Sequence, residues 1–401
     1  MKKVLLSAFS CNPYKGSESA NGWNWSIGLV REGFEVHVLT RIGNKNDIEK
    51  HPPVKHLNAH YISLPFGMEG LYSFSKPTMY LYYLLWQWKA YLLSKKLNKK
   101  FHFHRVHHVS WGSIQQGSFL YKLNVPFIFG PSGGGQKAPE IFKEYFLSHW
   151  ETEEKREKSS QLLLKYNPAC RKMLKNAFAV LVSNKDTEEF VKRGGAKQVY
   201  FTLDAALPNS FFPQKIIQRT PSIENLKLLW VGRFMPRKGL LLVLEVMDYL
   251  KNYPGITLTV VGDGEMKEAI NKKLKELNLD KSVTFTGMIP LSEVRKYYES
   301  HDLFFFTSLR DSCPAQLMEA MAFNLPIVTL DLHGQGQIVT SQTGVRIPLD
   351  QPSVVIENLG DAIISIANNP KRYQEMSQAA FDFSRKQTWD MKINDVVQNF
   401  Y

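Results

Sequence analysis

Residues 226–233 read LKLLWVGR, an apolar run of strand length that ends at a glycine and an arginine. Similar short runs follow at ITLTVVGDG (256–264), VTFTG (283–287), DLFFFTS (302–308), PIVTLD (326–331) and GVRI (344–347). Most are continuously apolar rather than alternating, and helical stretches separate them. This pattern is typical of a parallel sheet with helices on both faces, so it predicts a doubly wound α/β domain.

The first half of the chain follows the same pattern. Strands are predicted at VLLSAF (4–9), EVHVLT (35–40), HYISLP (60–65), RVHHVS (105–110), VPFIFG (125–130), AVLVSN (179–184) and VYFTL (199–203). A polar stretch with prolines, residues 209–225, separates the halves. We therefore predict two Rossmann-like α/β domains, residues 1–210 and 211–385, facing each other across a cleft. Residues 386–401 are expected to form a helix that packs across the joint.

Charge and cysteine content narrow the classes of partner and compartment. The 401 residues contain 50 Lys and Arg against 37 Asp and Glu, a net charge of +13, which favours an anionic partner. A membrane surface, a nucleic acid and a phosphorylated substrate all satisfy that requirement. The cysteines Cys11, Cys170 and Cys313 are scattered, without disulfide or metal-ligand spacing, so a reducing cytoplasmic environment is expected.

One aromatic-rich stretch allows two interpretations. Residues 79–93 read MYLYYLLWQWKAYLL, and the basic sequence SKKLNKK follows them. The stretch is too short and too interrupted to span a bilayer. Tyr and Trp beside Lys suit a membrane interface, whereas a buried helix of an α/β domain accounts for the same residues. We favour the buried helix.

Loops at the carboxyl ends of the predicted strands hold the candidate ligand-binding residues, because ligands bind at that edge of such sheets. Gly16 and Ser17 lie between the first strand and a helix, where backbone N–H groups can contact a phosphate. Arg233 and Lys238 follow the strand at 226, and two cations there can neutralise a diphosphate. Gly262 lies in a Gly-Asp-Gly turn.

The segment SLRDSCPAQLMEAMAFNLPIVTLD (308–331) supplies two carboxylates. Pro314 suits the first position of a helix, which places Glu319 about one and a half turns into it among apolar neighbours. A carboxylate in such surroundings needs a partner, which is the end of a neighbouring helix that it caps, a structural arginine or a ligand. Carboxylates accept hydrogen bonds only, so Glu319 suits a ribose diol and Asp311 suits sugar hydroxyls.

Together these motifs resemble one family. The order Arg233, Lys238, VVGDGE, VTFTGMIPLSEVRKYY and DLFFFTSLRDSCPAQLMEAMAFNLPIVTLD resembles the carboxyl-terminal domain of the GT-B glycosyltransferases of family four. In the first half, HHVSWGS and VPFIFGPSGGG resemble loops of bacterial polysaccharide and lipopolysaccharide members. The resemblance covers nearly the whole chain.

The resemblance implies a role for each matching residue. Arg233, Lys238 and Gly16 would lie at the donor diphosphate, and Gly262 beside the base. Glu319 would hold the ribose, and Asp311, where the family usually has Glu, would contact the transferred sugar. Pro314 has no N–H to offer, so Ala315 and Gln316 would supply backbone donors to the phosphate.

The family also implies a histidine after the strand RVHHVS. His107 and His108 are both candidates, and alternation along a strand lets only one of them face the cleft. We choose His108, because the loop is expected to begin just after it, and His108, Asp311 and Glu319 are the predicted catalytic residues.

The predicted function is retaining transfer of a hexosyl or N-acetylhexosaminyl group from a nucleotide diphosphate sugar, with a UDP-sugar favoured. The acceptor would be a saccharide or lipid-linked saccharide in cell-surface polysaccharide synthesis. No metal, cofactor or nucleic acid is expected, and the protein would be cytoplasmic, peripheral on the inner face of the plasma membrane. Alternatives are a GT-B protein that binds nucleotide sugar without transfer, and a basic nucleic-acid-binding protein. A dehydrogenase is disfavoured because no Gly-x-Gly-x-x-Gly follows the first strand.

Overall fold

The computed structural model describes residues 1–16, 18–112 and 114–401, which form two compact units. Unit 1 contains residues 1–135, 158–205 and 389–401, and unit 2 contains residues 136–157 and 206–388. These units differ in two places from the domains predicted from the sequence, which have a single boundary near residue 210. Residues 136–157 belong to unit 2 although their neighbours in the chain belong to unit 1, and the carboxyl-terminal helix belongs to unit 1.

Unit 1 contains a parallel sheet in which the described residues form seven strands, in the order β3-β2-β1-β4-β5-β6-β7. The strands are β1 (Lys3–Ala8), β2 (Glu35–Arg41), β3 (Leu57–Ile62), β4 (Arg105–Ser110), β5 (Phe127–Ser132), β6 (Ala179–Val182) and β7 (Val199–Phe201). The α-helices of unit 1 are α1 (Glu18–Arg31), α2 (Lys45–Lys50), α3 (Leu71–Phe74), α4 (Lys76–Phe101), α6 (Pro168–Asn176) and α7 (Lys185–Arg193), and α5 (Trp150–Tyr166) begins in unit 2 and ends in unit 1.

Unit 2 contains a second parallel sheet, with six strands among the residues described, in the order β10-β9-β8-β11-β12-β13. The strands are β8 (Leu226–Val231), β9 (Ile256–Val261), β10 (Val283–Gly287), β11 (Leu303–Phe306), β12 (Ile327–Leu330) and β13 (Gly344–Ile347). The helices are α8 (Leu240–Tyr249), α9 (Lys267–Glu276), α10 (Leu291–Ser300), α11 (Ala315–Ala322), α12 (His333–Ile338), α13 (Pro352–Ala367) and α14 (Pro370–Arg385), and α15 (Trp389–Phe400) returns to unit 1.

The predicted α/β fold class is confirmed, because every predicted strand corresponds to an observed one and both sheets are parallel. Burial explains the continuous apolar runs. In β11 all four residues are buried, and in β1 the five from Val4 to Ala8 are, since helices cover both faces of each sheet. Apolar runs with helical spacers are therefore a reliable signal in this chain.

Helix α4 contains the aromatic-rich stretch, and one of its faces is buried in the core of unit 1. Tyr82, Tyr83, Trp86 and Ala90 on that face are fully buried. The buried-helix interpretation is thus confirmed for this face, although other apolar side chains of the helix are exposed. None of the helices in the described parts of the chain is long and apolar enough to cross a membrane.

Candidate active site

The loop after β8 brings Lys238 against the end of β11. The loop contains a short 3-10 helix, Pro236–Lys238, and ends at Gly239, which has a φ of +66°. A Cβ on Gly239 would lie 2.3 Å from the carbonyl oxygen of Thr307, so only glycine allows this approach. Lys238 is consequently buried at the carboxyl end of the sheet.

Lys238 and Asp311 form a largely buried ion pair. The ammonium of Lys238 donates to Oδ2 of Asp311, and Nη1 of Arg237 lies 3.4 Å from the same oxygen. The backbone N–H of Ser312 donates to Oδ1 of Asp311 at 3.0 Å. Burial raises the pKa of the Asp311 carboxyl, but Lys238 and Arg237 outweigh burial and hold that pKa below its usual range. Asp311 is therefore ionised at neutral pH.

The other cation from the sequence prediction, Arg233, occupies a different environment. It is exposed, and it forms no ion pair within the described parts of the chain. The cation that accompanies Lys238 at Asp311 is instead Arg237, which the sequence interpretation did not select. An arginine beside a lysine in a turn looks like a solvated surface charge, so only the distance to Asp311 identifies it.

The turn at Gly262 packs directly against the turn after β8. Gly262 has a φ of +139°, and a Cβ there would lie 1.8 Å from the carbonyl oxygen of Gly232. Asp263 in the same turn accepts from the backbone N–H of Gly264 at 2.8 Å and pairs with Lys267 at 2.7 Å. The carboxyl ends of β8 and β9 are thereby joined through backbone contacts that tolerate no side chain.

Helix α11 begins one residue later than expected. Pro314 is the N-cap, with extended backbone dihedrals, and Ala315 is the first helical residue. The first N–H groups of a helix have no intrahelical acceptor, so those of Ala315 and Gln316 remain available to a ligand. The proline thus withholds no N–H that the helix itself requires.

Glu319 lies in the second turn of α11 and is partly buried. Its Oε2 accepts a hydrogen bond from the hydroxyl of Tyr298 at 2.9 Å, and the Tyr298 ring stacks on Phe323. Burial raises the pKa of the Glu319 carboxyl. No cation pairs with Glu319 among the residues the structure describes, so the structural-cation alternative is not observed. Tyr298 gave no signal in the sequence, because a tyrosine in an amphipathic helix is usually a core residue.

A second ion pair holds the residue before Asp311. Arg310 binds Glu153 through two contacts, Nε to Oε1 at 2.5 Å and Nη2 to Oε2 at 3.0 Å. The carbonyl oxygen of Arg310 also accepts from Nη1 of Arg237 at 3.1 Å. Burial and the charge of Arg156 lower the pKa of Arg310 to about 10, with Glu153 opposing them. Glu153 lies within residues 136–157, so this segment braces the Asp311 loop within unit 2.

Both candidate histidines are buried inside unit 1, on opposite faces of β4. His107 hydrogen-bonds to the hydroxyl of Tyr401 at 2.5 Å and to the carbonyl of Gly130 at 2.7 Å. His108 contacts the Ser7 hydroxyl at 3.0 Å and the Trp111 carbonyl at 3.2 Å. Burial lowers the pKa of His107 to about 3 and that of His108 to about 4.

The expectation that the loop begins just after His108 is therefore corrected. β4 continues to Ser110, and His108 lies in the core, where its ring stacks on Phe129 at a centroid distance of 5.1 Å. Alternation along the strand does separate the two rings, but each side of the sheet is covered by helices. Gly16 lies in unit 1, two residues before the start of α1, and Ser17 lies outside the described residues.

Comparisons with known proteins agree with this architecture. Residues 214–383 match the family model for glycosyl transferases group 1. An uncharacterized glycosyltransferase of Haemophilus influenzae is 31% identical over 201 residues, which span 49% of this chain and 53% of that protein. The match thus spans about half the length of that relative.

Solved structures match the whole chain. Sucrose-phosphate synthase from Thermosynechococcus elongatus has a TM-score of 0.68 at 18% identity, covering 100% of this chain and 98% of its own. Anabaena HepE in complex with UDP has a TM-score of 0.65 at 15% identity, covering 100% and 99%. The chain as a whole therefore has the GT-B fold of two parallel-sheet α/β domains, and residues 214–383 within it are similar to the glycosyl transferases group 1 family.

Proposed function

We propose that this protein is a retaining glycosyltransferase that moves a hexosyl or N-acetylhexosaminyl group from a UDP-sugar to a hydroxyl of a saccharide or lipid-linked saccharide. One observation carries the proposal. The Lys238–Asp311 ion pair lies at the carboxyl end of the unit 2 sheet, immediately before the helix that presents the partly buried Glu319. Cations, free N–H groups and hydroxyl acceptors on adjacent strand ends match the three parts of a nucleotide diphosphate sugar.

The donor would replace Asp311 as the counter-charge of Lys238. The diphosphate accepts from Lys238, Arg237 and Arg233 and from the N–H groups of Ala315 and Gln316, as at other helix N-termini. The turn at Gly262, which has no side chain, leaves room for the base. Glu319 accepts from the ribose hydroxyls, and Asp311, released from Lys238, accepts from hydroxyls of the transferred sugar. Side chains supply the positive charge, so the proposal requires no divalent cation.

In the reaction, the bond between the anomeric carbon and the diphosphate oxygen breaks, and the electron pair stays on that oxygen. The acceptor hydroxyl oxygen bonds to the anomeric carbon on the same face, and its proton passes to the departing phosphate. Lys238 and Arg237 stabilise the developing negative charge. His108 touches no solvent in unit 1, so we assign it a positioning role, holding the end of β4 through the Trp111 carbonyl.

The sequence motifs and the solved structures support the choice of UDP as nucleotide and of a cell-surface polysaccharide as product. HepE was solved with UDP, which favours UDP among the nucleotides. The motifs HHVSWGS and VPFIFGPSGGG resemble members that build bacterial cell-surface polysaccharide. We accordingly place the enzyme in the cytoplasm, peripheral on the inner membrane face where lipid-linked acceptors lie.

The test is to incubate the protein with a panel of UDP-, GDP- and ADP-sugars and to follow nucleoside diphosphate release by phosphorus NMR, with and without EDTA. We expect slow release from one UDP-sugar, unaffected by EDTA, and retention of the anomeric configuration in the proton NMR spectrum of the freshly released sugar. Binding without release would support the non-transferring alternative. Absence of binding to every nucleotide sugar would overturn the proposal.

A further inference from the structure

Helix α4 carries a row of exposed apolar side chains on the face opposite its buried one. Exposed fractions of 43–49% are found for Tyr80, Leu81, Leu84, Trp88 and Leu92. At about 100° per residue, these positions and the exposed Lys95, Lys96 and Lys99 fall within an arc of roughly 160°. The face is therefore one continuous stripe, apolar over its first part and basic at its end.

Two exposed phenylalanines adjoin the apolar end of this stripe. Phe74 is 81% exposed and precedes α4 by two residues, and Phe66 is 95% exposed in the preceding loop. That loop is tied to α4, because Glu69 accepts a hydrogen bond from the hydroxyl of Tyr82 at 2.7 Å. Exposed aromatic side chains at this density on one helix and its approach are unusual for a surface that faces water alone.

Cations border the aromatic part of the stripe as well as its end. The Lys122 ammonium lies 5.8 Å from the ring centroid of Trp88 and 5.4 Å from that of Phe119, and the two rings meet edge to face at 5.6 Å. The sequence of α4 contains no Asp or Glu. The surface thus combines apolar side chains, amphipathic rings and positive charge, and α4 contributes no acid to it.

We propose that this docking face, defined as Phe74, Tyr80, Leu84, Trp88 and Leu92 with Lys95, Lys96 and Lys99, binds an anionic phospholipid bilayer. Helix α4 would lie in the plane of the interface, with Trp88 and Tyr80 at headgroup level and the lysines on lipid phosphates. Its other face is buried in unit 1, so it rests on the membrane and does not cross it. A second copy docking in parallel through the same face would oppose lysine with lysine, and one docking antiparallel would place lysines on apolar side chains, so both arrangements disfavour a dimer.

This inference names the surface through which the protein would reach the membrane given in the proposed function. The purpose of the binding, which is access to a lipid-linked acceptor, rests on the proposed function. The binding itself is measurable without transfer. Full-length protein is sedimented with vesicles of phosphatidylglycerol and phosphatidylcholine, and with pure phosphatidylcholine vesicles, at physiological salt. We expect binding to the anionic vesicles only, and weaker binding at high salt.

Two triple variants distinguish the effect of lysines on the docking face from the effect of the net charge of the protein. Each lysine near an anionic surface contributes roughly fivefold to partitioning, so Lys95→Gln with Lys96→Gln and Lys99→Gln should weaken binding by about 100-fold. The control removes three exposed charges from unit 2, Lys272→Gln with Lys275→Gln and Lys281→Gln, and should bind as the unaltered protein does. The two triple variants carry the same net charge.

A second pair tests the apolar part of the face. Leu84→Gln with Trp88→Gln should weaken vesicle binding at least tenfold, since both side chains leave the interface. The control, Leu162→Gln with Leu163→Gln, changes exposed leucines on α5 and should have no effect. All four variants should retain nucleotide-sugar hydrolysis in solution, because none changes a donor-binding residue.

Each other outcome has a defined meaning. Absence of binding to anionic vesicles by the unaltered protein overturns the inference, and intact sugar hydrolysis would then leave the proposed function standing. Equal losses in a face variant and its control also overturn it, since attraction would then be unspecific. A change of mass in solution caused by Leu84→Gln with Trp88→Gln, without loss of vesicle binding, would make the face a protein interface instead. Vesicle binding that maps to the face without any donor hydrolysis would overturn the function alone.

Discussion

The ammonium of Lys238 pairs with the carboxylate of Asp311 across 73 positions of sequence, at the carboxyl ends of two neighbouring strands. Each group is the other's counter-charge, and Arg237 adds a second cation to the same carboxylate oxygen. A bound diphosphate would compete with Asp311 for both cations. Asp311 therefore lies at the two cations that we assign to the leaving group.

Asp311→Asn should separate binding from turnover. Removing the competing carboxylate frees Lys238, so UDP should bind about three- to tenfold more tightly, a gain of roughly 1 kcal/mol. Turnover should fall about 100-fold or more, because the contact with the transferred sugar is lost. Titration calorimetry with UDP and donor hydrolysis measure the two effects. The control Asp361→Asn, at an exposed residue that accepts from Tyr249, should change neither. Weaker UDP binding in Asp311→Asn would contradict the competition.

Glu319→Gln should stabilise the protein at neutral pH while weakening donor binding. Burial raises the pKa of Glu319, so the folded state holds this proton more tightly than the unfolded chain does. The stability that this proton contributes is therefore lost as the pH rises from the pKa of Glu319 in the unfolded chain to its pKa in the folded state. The Gln side chain is uncharged, and its oxygen still accepts a hydrogen bond from Tyr298. The Tm of the variant at pH 7.5 should therefore be about 2–4 °C higher than that of the unaltered protein, with little difference at pH 4. A lower Tm at pH 7.5 would show that the charge is favourable there.

The sequence determined the strands and most of the strand-end loops but not the contacts between them. Apolar runs are local signals, and VTFTG, RVHHVS and GVRI coincide with observed strands. Arg237, Glu153 and Tyr298 were missed, because their roles come from partners 21 to 157 positions away. His108 was expected to border the loop, but the predicted strand RVHHVS and the observed β4 both run two residues further, to Ser110. The burial of His108 depends on elements distant in sequence that cover the sheet, so the residues around it do not indicate it.

Acid should destabilise the protein through the two buried histidines. Burial lowers the pKa of His107 to about 3 and of His108 to about 4, so the unfolded chain takes up these protons first as the pH falls below about 6.5. The neutral rings therefore favour folding above pH 6.5, and His108 alone accounts for a loss of roughly 3 kcal/mol by pH 4. The urea midpoint of His108→Gln, though lower at pH 7.5, should fall less between pH 7.5 and 4.5. His51→Gln, at a partly buried position outside the sheet, serves as the control. An equal fall in both variants would contradict this account.

Glu153→Gln should impair donor binding more than the chemical step. It breaks the two-contact pair with Arg310, whose carbonyl holds Arg237 beside Asp311. We expect a stability loss of about 2–3 kcal/mol and a several-fold higher KM with kcat within about twofold. Glu151→Gln removes an exposed carboxylate on the same helix and should be neutral. A fall in kcat without a change in KM would show that the brace acts on the reaction and not on the binding loop.

The central claim is that unit 2 binds a nucleotide diphosphate sugar through Lys238. The most direct measurement is the affinity of the unaltered protein and of Lys238→Gln for the UDP-sugar that the panel identifies, with Lys227→Gln as a matched exposed control in unit 2. We expect Lys238→Gln to weaken binding by about 30-fold or more and Lys227→Gln to leave it unchanged. Equal affinity in all three proteins would contradict it.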